Sequence, residues 1–196
     1  MTLPTLLSMA MFALVASISP GPVNLLSLSS SARYGVATGL RLVTGASLGF
    51  IMLFLLIGFS LEYTLTMLPW LIEILQWLGV AFLLWLSFQL IKDNGQIEIT
   101  DQQQAPSFMT GAIMQWLNPK AWLASISGIA AYTDQAAAIE ILIFASLYLP
   151  ICWLSLSAWV WAGVLLGKRL NNPSKVRMLN RCLAFLLITS CLLIIQ

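Results

Sequence analysis

Ser19-Pro20-Gly21-Pro22-Val23-Asn24 lies in the C-terminal half of residues 1–32, a run without a single Lys, Arg, Asp or Glu. Such a run is long enough to cross a bilayer, for which a helix needs about 20 apolar residues. Each proline in it lacks a backbone donor, clashes with the preceding turn and pushes the residue before it out of the α region. The carbonyls freed around Ile18 cannot be left bare in hydrocarbon, where an unsatisfied backbone group costs several kcal/mol. A break is tolerated there only against protein or a water-filled cavity. Two readings follow. The stretch is a discontinuous helix lining a substrate site, as transporters build them, or it is a kink or a helix end at Pro20.

Composition sets the class. Of 196 residues, 60% are hydrophobic and 8% charged, with a mean hydropathy of +0.92, whereas a soluble domain averages about 25% charged residues. The chain reads as an integral membrane protein, all-α and polytopic, with one transmembrane domain and no soluble one. The net charge of +2 comes from basic residues spread along loop edges, so no nucleic-acid partner is expected. There is no histidine, which removes the commonest proton shuttle and metal ligand; no metal, cofactor or enzymatic role is expected. Cys152, Cys182 and Cys191 lie in hydrophobic runs without CxxC spacing. They read as small apolar packing residues, none of them near a proline break. The N-terminus has no positive region ahead of its apolar run, so the first segment is expected to stay in place.

Segment one runs from about Leu3 to Asn24 or beyond, and the serine-rich stretch from Ser27 to Ser31 can re-satisfy backbone groups freed by the prolines. Segment two spans about Gly39 to Ser60. Gly45 and Gly49 fall on one face of it, where another helix can come close, either within one chain or across a homodimer. Segment three spans about Pro69 to Ile91. Glu73, between Trp70 and Trp77, reads either as a headgroup-level residue beside an aromatic belt or as an intramembrane acid, the proton-coupling candidate. Lys92 to Pro106 is a polar linker.

Segment four, about Ser107 to Tyr132, carries a second break, Gln115-Trp116-Leu117-Asn118-Pro119-Lys120-Ala121. A lipid-facing charge there costs on the order of 2.5 kcal/mol or more. Lys120 therefore faces a polar site, or snorkels to an interface. Segment five runs from about Ala136 to Leu166 through Pro150. A basic loop follows, and segment six fills about Arg177 to Gln196. With six spans, the Lys and Arg residues fall beside loops one, three and five, which makes those loops cytoplasmic and places both termini outside.

Segments one and four each pair a proline break with an asparagine, and two segments follow each. Three segments per half force the halves to be inverted. Repeat one is about 1–91, the linker 92–106 and repeat two about 107–196. Paired breaks in corresponding positions point to a transport site at mid-depth. The substrate-binding candidates are Pro20, Gly21, Pro22, Val23 and Asn24 from the first break, and Gln115, Asn118, Pro119 and Lys120 from the second.

These residues also carry a resemblance. The Ser19–Asn24 stretch, Arg33-Tyr34-Gly35 and the Gly39-to-Gly49 run resemble the opening of the LysE/RhtB family of amino-acid exporters. Leu75-Gln76-Trp77-Leu78-Gly79-Val80-Ala81-Phe82-Leu83-Leu84 is similar to that family's third segment, and Phe108-Met109-Thr110-Gly111 leading to Asn118-Pro119-Lys120 is similar to its Asn-Pro-Lys motif. The match runs along nearly the whole chain in order. Val23 stands where many relatives place Asn or Asp, and Ala81-Phe82 where an Ala-Tyr pair is common.

The resemblance implies a multi-pass exporter of amino acids or related metabolites in the bacterial inner membrane, driven by the proton gradient. In an alternating-access scheme, free amides at Gly21 and Val23 would hold a carboxylate at a half-helix N-terminus. Lys120 would add a second positive contact or exchange partners with Glu73. Asn24, Asn118 and Gln115 would bond the amino-acid backbone. Two other readings stand beside this one. A thiol-based membrane redox protein needs a reactive cysteine pair at the breaks. A non-catalytic assembly subunit would move nothing.

Overall fold

The structure is a computed structural model. It describes residues 2–67, 105–133 and 138–167 continuously, with scattered helical positions between 77 and 92 and between 174 and 188. Most of segments three and six, and Glu73 itself, lie outside the described residues. Six helices make up the continuous part: α1 (Leu3–Ile18), α2 (Pro22–Tyr34), α3 (Val36–Met67), α4 (Phe108–Trp116), α5 (Pro119–Tyr132) and α6 (Ala138–Gly167). No strand occurs among the described residues.

Both proline breaks are real helix boundaries. Ser19 is extended (φ −62°, ψ 142°), and Pro22 opens α2 behind an extended Gly21; proline suits a first helical position, where its missing N–H has no helical partner to lose. The axis bends by 56° between α1 and α2. The second break has the same design, with Asn118 as N-cap and Pro119 opening α5. A third boundary rests on one residue. Gly35, between α2 and α3, has φ +85°, a region open to glycine at no steric cost.

Length and apolarity then pick out the spans. Among the described residues, Val36–Ser60 and Ala138–Leu166, of 25 and 29 residues, are each long and apolar enough to cross a membrane, and the bent pair α1 with α2 makes a third where it is counted as one span. At about 1.5 Å per residue, 25 residues reach roughly 37 Å, more than the roughly 30 Å hydrocarbon core. Pro150 does not end α6.

Glycine sets the tightest packing. A Cβ on Gly45 of α3 would stand 1.9 Å from the Phe108 carbonyl oxygen of α4, and one on Gly111 of α4 would stand 2.1 Å from the Leu42 carbonyl oxygen of α3. The glycine face of segment two is thus occupied within the chain, by α4. Trp116 Nε1 donates to the Gly49 carbonyl across the same contact (3.1 Å). On the other side, Gly163 of α6 lies against the Leu28 carbonyl of α2, and Ser31 Oγ donates to the Val160 carbonyl at 2.9 Å. Between these contacts sits an aromatic cluster of Phe12, Phe50, Phe54, Tyr132, Phe144 and Tyr148, mostly edge-to-face, with ring centroids 4.6–6.4 Å apart. Tyr148 and Phe144 are fully buried. The cluster underlies the place where the two breaks meet.

Candidate functional site

A helix that stops inside a protein leaves its last carbonyls without partners, and α1 stops at Ile18. Each carbonyl from Val15 to Gly21 nevertheless receives a donor. Ser19 N–H bonds to Val15 O at 3.2 Å and Ser19 Oγ to Ala16 O at 3.3 Å. Asn24 Nδ2 reaches back from α2 to Ser17 O (2.8 Å). Trp159 Nε1 reaches from α6 to Ile18 O (3.0 Å). The Lys120 ammonium, on α5, donates to Ser19 O at 2.6 Å and to Pro20 O at 3.3 Å. Gly21 O begins α2 by accepting from Leu25 N–H (3.0 Å).

The second break is held by its own asparagine. Asn118 Oδ1 caps α5 by accepting from Lys120 N–H (3.1 Å), and its Nδ2 donates to Gln115 Oε1 (3.1 Å). The backbone at Lys120 is thereby fixed, and its side chain extends to the first break. Gly21 makes the space: a Cβ there would sit 3.2 Å from Lys120 Cδ and 3.3 Å from Nζ. Its φ of −168° is ordinary extended backbone, so clearance and not conformational freedom is what Gly21 supplies.

Ser17, Val23, Asn24, Gln115, Asn118, Lys120, Tyr148 and Cys152 are among the residues around a cavity of about 30 Å³ between the breaks. That is room for a water or two. Among the described residues no Asp or Glu lines it, so Lys120 brings a positive charge that neutral groups meet there. No side chain caps the first turn of α2, whose N-terminal end carries positive partial charge and contributes Val23 and Asn24 to the same cavity.

Of the residues expected from sequence, Gly21, Val23, Asn24, Gln115, Asn118 and Lys120 come together here. Pro22 and Pro119 are buried and act as helix starters, while Pro20 is exposed and contributes its carbonyl. The expectation that no cysteine lies near the breaks is corrected. Cys152 sits on α6, far along the chain from both prolines, yet its buried side chain lines the cavity. Among the described residues no second cysteine lines it. Sequence reading also missed Ser17, Tyr148 and Trp159. Ser17 lies just ahead of Ser19-Pro20, which is a usable signal; the two α6 residues carry none.

Trp159→Phe keeps an aromatic ring, though a smaller one, and removes the donor from Ile18 O. A carbonyl left unsatisfied costs about 1–3 kcal/mol. We expect the thermal unfolding midpoint in detergent to fall by about 2–4 °C per kcal/mol lost, and an unchanged midpoint would show that water replaces the indole.

Broken helices meeting around a polar cavity, in an all-helical chain with membrane-length apolar spans, are the build of a membrane transporter. The chain belongs to the LysE type translocator family, whose sequence profile matches residues 14–195. It is accordingly a transporter and not an enzyme. It is 30% identical over 193 residues to a protein named cysteine/O-acetylserine efflux protein from Escherichia coli O139:H28, covering 94% of this chain and 95% of the other. A protein of the same name from Salmonella typhimurium LT2 is 28% identical over 180 residues, 90% of each chain. No solved structure gives a significant match.

Proposed function

We propose that this protein exports small amino acids, cysteine and O-acetylserine foremost, from the cytoplasm across the bacterial inner membrane. The observation that carries this reading is the Lys120 ammonium, held between two broken helices beside a cavity that no carboxylate among the described residues lines. A carboxylate-bearing substrate supplies the missing anion, and charge-assisted bonds of this kind are the strong ones. The uncapped start of α2 adds further positive potential. The names of the relatives supply the side-chain class. Ser17, Asn24, Gln115 and Asn118 offer hydrogen bonds suited to a small polar molecule.

In this account the two breaks are hinges of alternating access, arranged in inverted three-helix repeats, and export is coupled to protons with Glu73 as the acid. The thiol redox alternative is not favoured, since among the described residues Cys152 has no second thiol beside it in the cavity.

Efflux from cells tests the proposal. Cells lacking the protein and cells overproducing it are loaded with one amino acid at a time from dipeptides, and with O-acetylserine directly. Faster appearance of cysteine and O-acetylserine outside the overproducing cells is expected. If no compound on the panel leaves faster, the exporter reading fails and an assembly role takes its place.

A further inference from the structure

We propose that Lys120 is a tethered stand-in for the substrate's own ammonium group, and that the amino nitrogen of the substrate binds on the carbonyls of Ser19 and Pro20 that Lys120 now occupies. This rests on the reading of the cavity as the substrate site, and it adds which atoms of the substrate are recognised and what they displace.

The first break presents two opposite poles within a few residues. On one side are the carbonyls at the C-terminal end of α1, the negative end of a helix dipole; on the other is the uncapped N-terminal end of α2, the positive end. An amino acid is a zwitterion of the same shape, with an ammonium one carbon away from a carboxylate. The pole that would take the ammonium already holds one, the Nζ of Lys120, at 2.6 and 3.3 Å from two main-chain oxygens. The pole that would take the carboxylate has Gly21 as its N-cap and so no capping side chain of its own.

An exchange follows that keeps the bonding complete at both ends. The entering carboxylate gives Lys120 a charged partner in place of neutral carbonyls, a stronger bond. The entering ammonium takes over the two carbonyls, which therefore never face the membrane interior unsatisfied. When the substrate leaves, Lys120 returns. Because Lys120 belongs to α5 and the carbonyls to the break just after α1, each exchange unfastens one broken helix from the other and fastens it again. Gly21 leaves Lys120 the room it occupies and must clear for the substrate, since a Cβ there would lie 3.2 Å from Cδ and 3.3 Å from Nζ.

The proposal demands that a ligand carry both charges. O-acetylserine and N-acetylserine are isomers that differ in whether the amine is free or tied up as an amide. Binding is read from the thermal stabilisation of the purified, unaltered protein, because a ligand of the native state raises its stability with concentration. The experiment runs below neutral pH, where the O-to-N acyl shift is slow. O-acetylserine should stabilise at a concentration at least about tenfold lower than N-acetylserine. Ethanolamine, an amine without a carboxylate, should do nothing to the unaltered protein, because nothing draws Lys120 away. In Lys120→Met the carbonyls stand open, and ethanolamine should then stabilise.

Equal stabilisation by the two isomers overturns the proposal while leaving the cavity as the substrate site. No stabilisation by either isomer overturns the site reading and the proposal with it. The isomer comparison needs no variant, so a poorly folding Lys120→Met does not weaken it.

Discussion

Lys120→Met abolishes efflux and leaves the protein in the membrane. Methionine matches the reach of the lysine stem but offers no donor to Ser19 O or Pro20 O and no charge to a substrate carboxylate. Loss of a charge-assisted contact of about 3 kcal/mol corresponds to roughly a hundredfold fall in transport. Insertion and packing rest elsewhere, on the α3–α4 glycine contact and the α2–α6 contact, so the amount of protein in the membrane should hold. Lys120→Arg is expected to recover only a small part of the activity. The guanidinium is a planar fork and not a point charge, and the passage beside Gly21 is tight. Efflux rates normalised to membrane protein are the check. Normal export by Lys120→Met would mean that the lysine is only a cap on α1.

The second large effect is on folding. Gly45→Leu should reduce the protein that can be extracted as a single monodisperse species by at least about tenfold. Even the first carbon of a new side chain would stand 1.9 Å from the Phe108 oxygen, a gap that has to open to the 3.4–4 Å of ordinary contact. The atom it meets is backbone, which cannot rotate away. Separating α3 from α4 also removes the Trp116 bond to Gly49 O. Overpacking costs about 1–3 kcal/mol and occasionally more, a large share of a typical margin of roughly 5–15 kcal/mol. Leu48→Ala on the same helix is the control, because Leu48 is 41% exposed. Size-exclusion profiles after detergent extraction read both. A Gly45→Leu protein that behaves like Leu48→Ala would mean that the helices adjust freely there.

Much of this arrangement is legible in the residues. Pro20-Gly21-Pro22 and Asn118-Pro119 mark helix boundaries because proline chemistry is local: the missing donor and the fixed φ act within one turn. The spacing of Gly45 and Gly49 foretells a close helix contact for the same kind of reason, although only the structure identifies α4 as the neighbour and shows the contact to be within the chain. That the two breaks form one site is an inference from their likeness; the Lys120 bonds to Ser19 O and Pro20 O put them side by side. What is not legible depends on long-range packing. Trp159 resembles any interfacial tryptophan until α6 brings it to Ile18 O. Cys152 resembles a packing residue far from both prolines until the same helix carries it into the cavity. Asn24 and Asn118 read as substrate ligands, whereas each already spends hydrogen-bonding capacity on a neighbouring segment. An asparagine that ties one half-helix to the next and one that binds a substrate look identical in a sequence.

The most direct test of the central claim is movement of labelled O-acetylserine across liposomes containing only the purified protein, with Lys120→Met liposomes alongside. A site between the two breaks predicts saturable movement with the unaltered protein and roughly a hundredfold less with the variant, at equal protein content. Equal movement in both, or none in either, would contradict it.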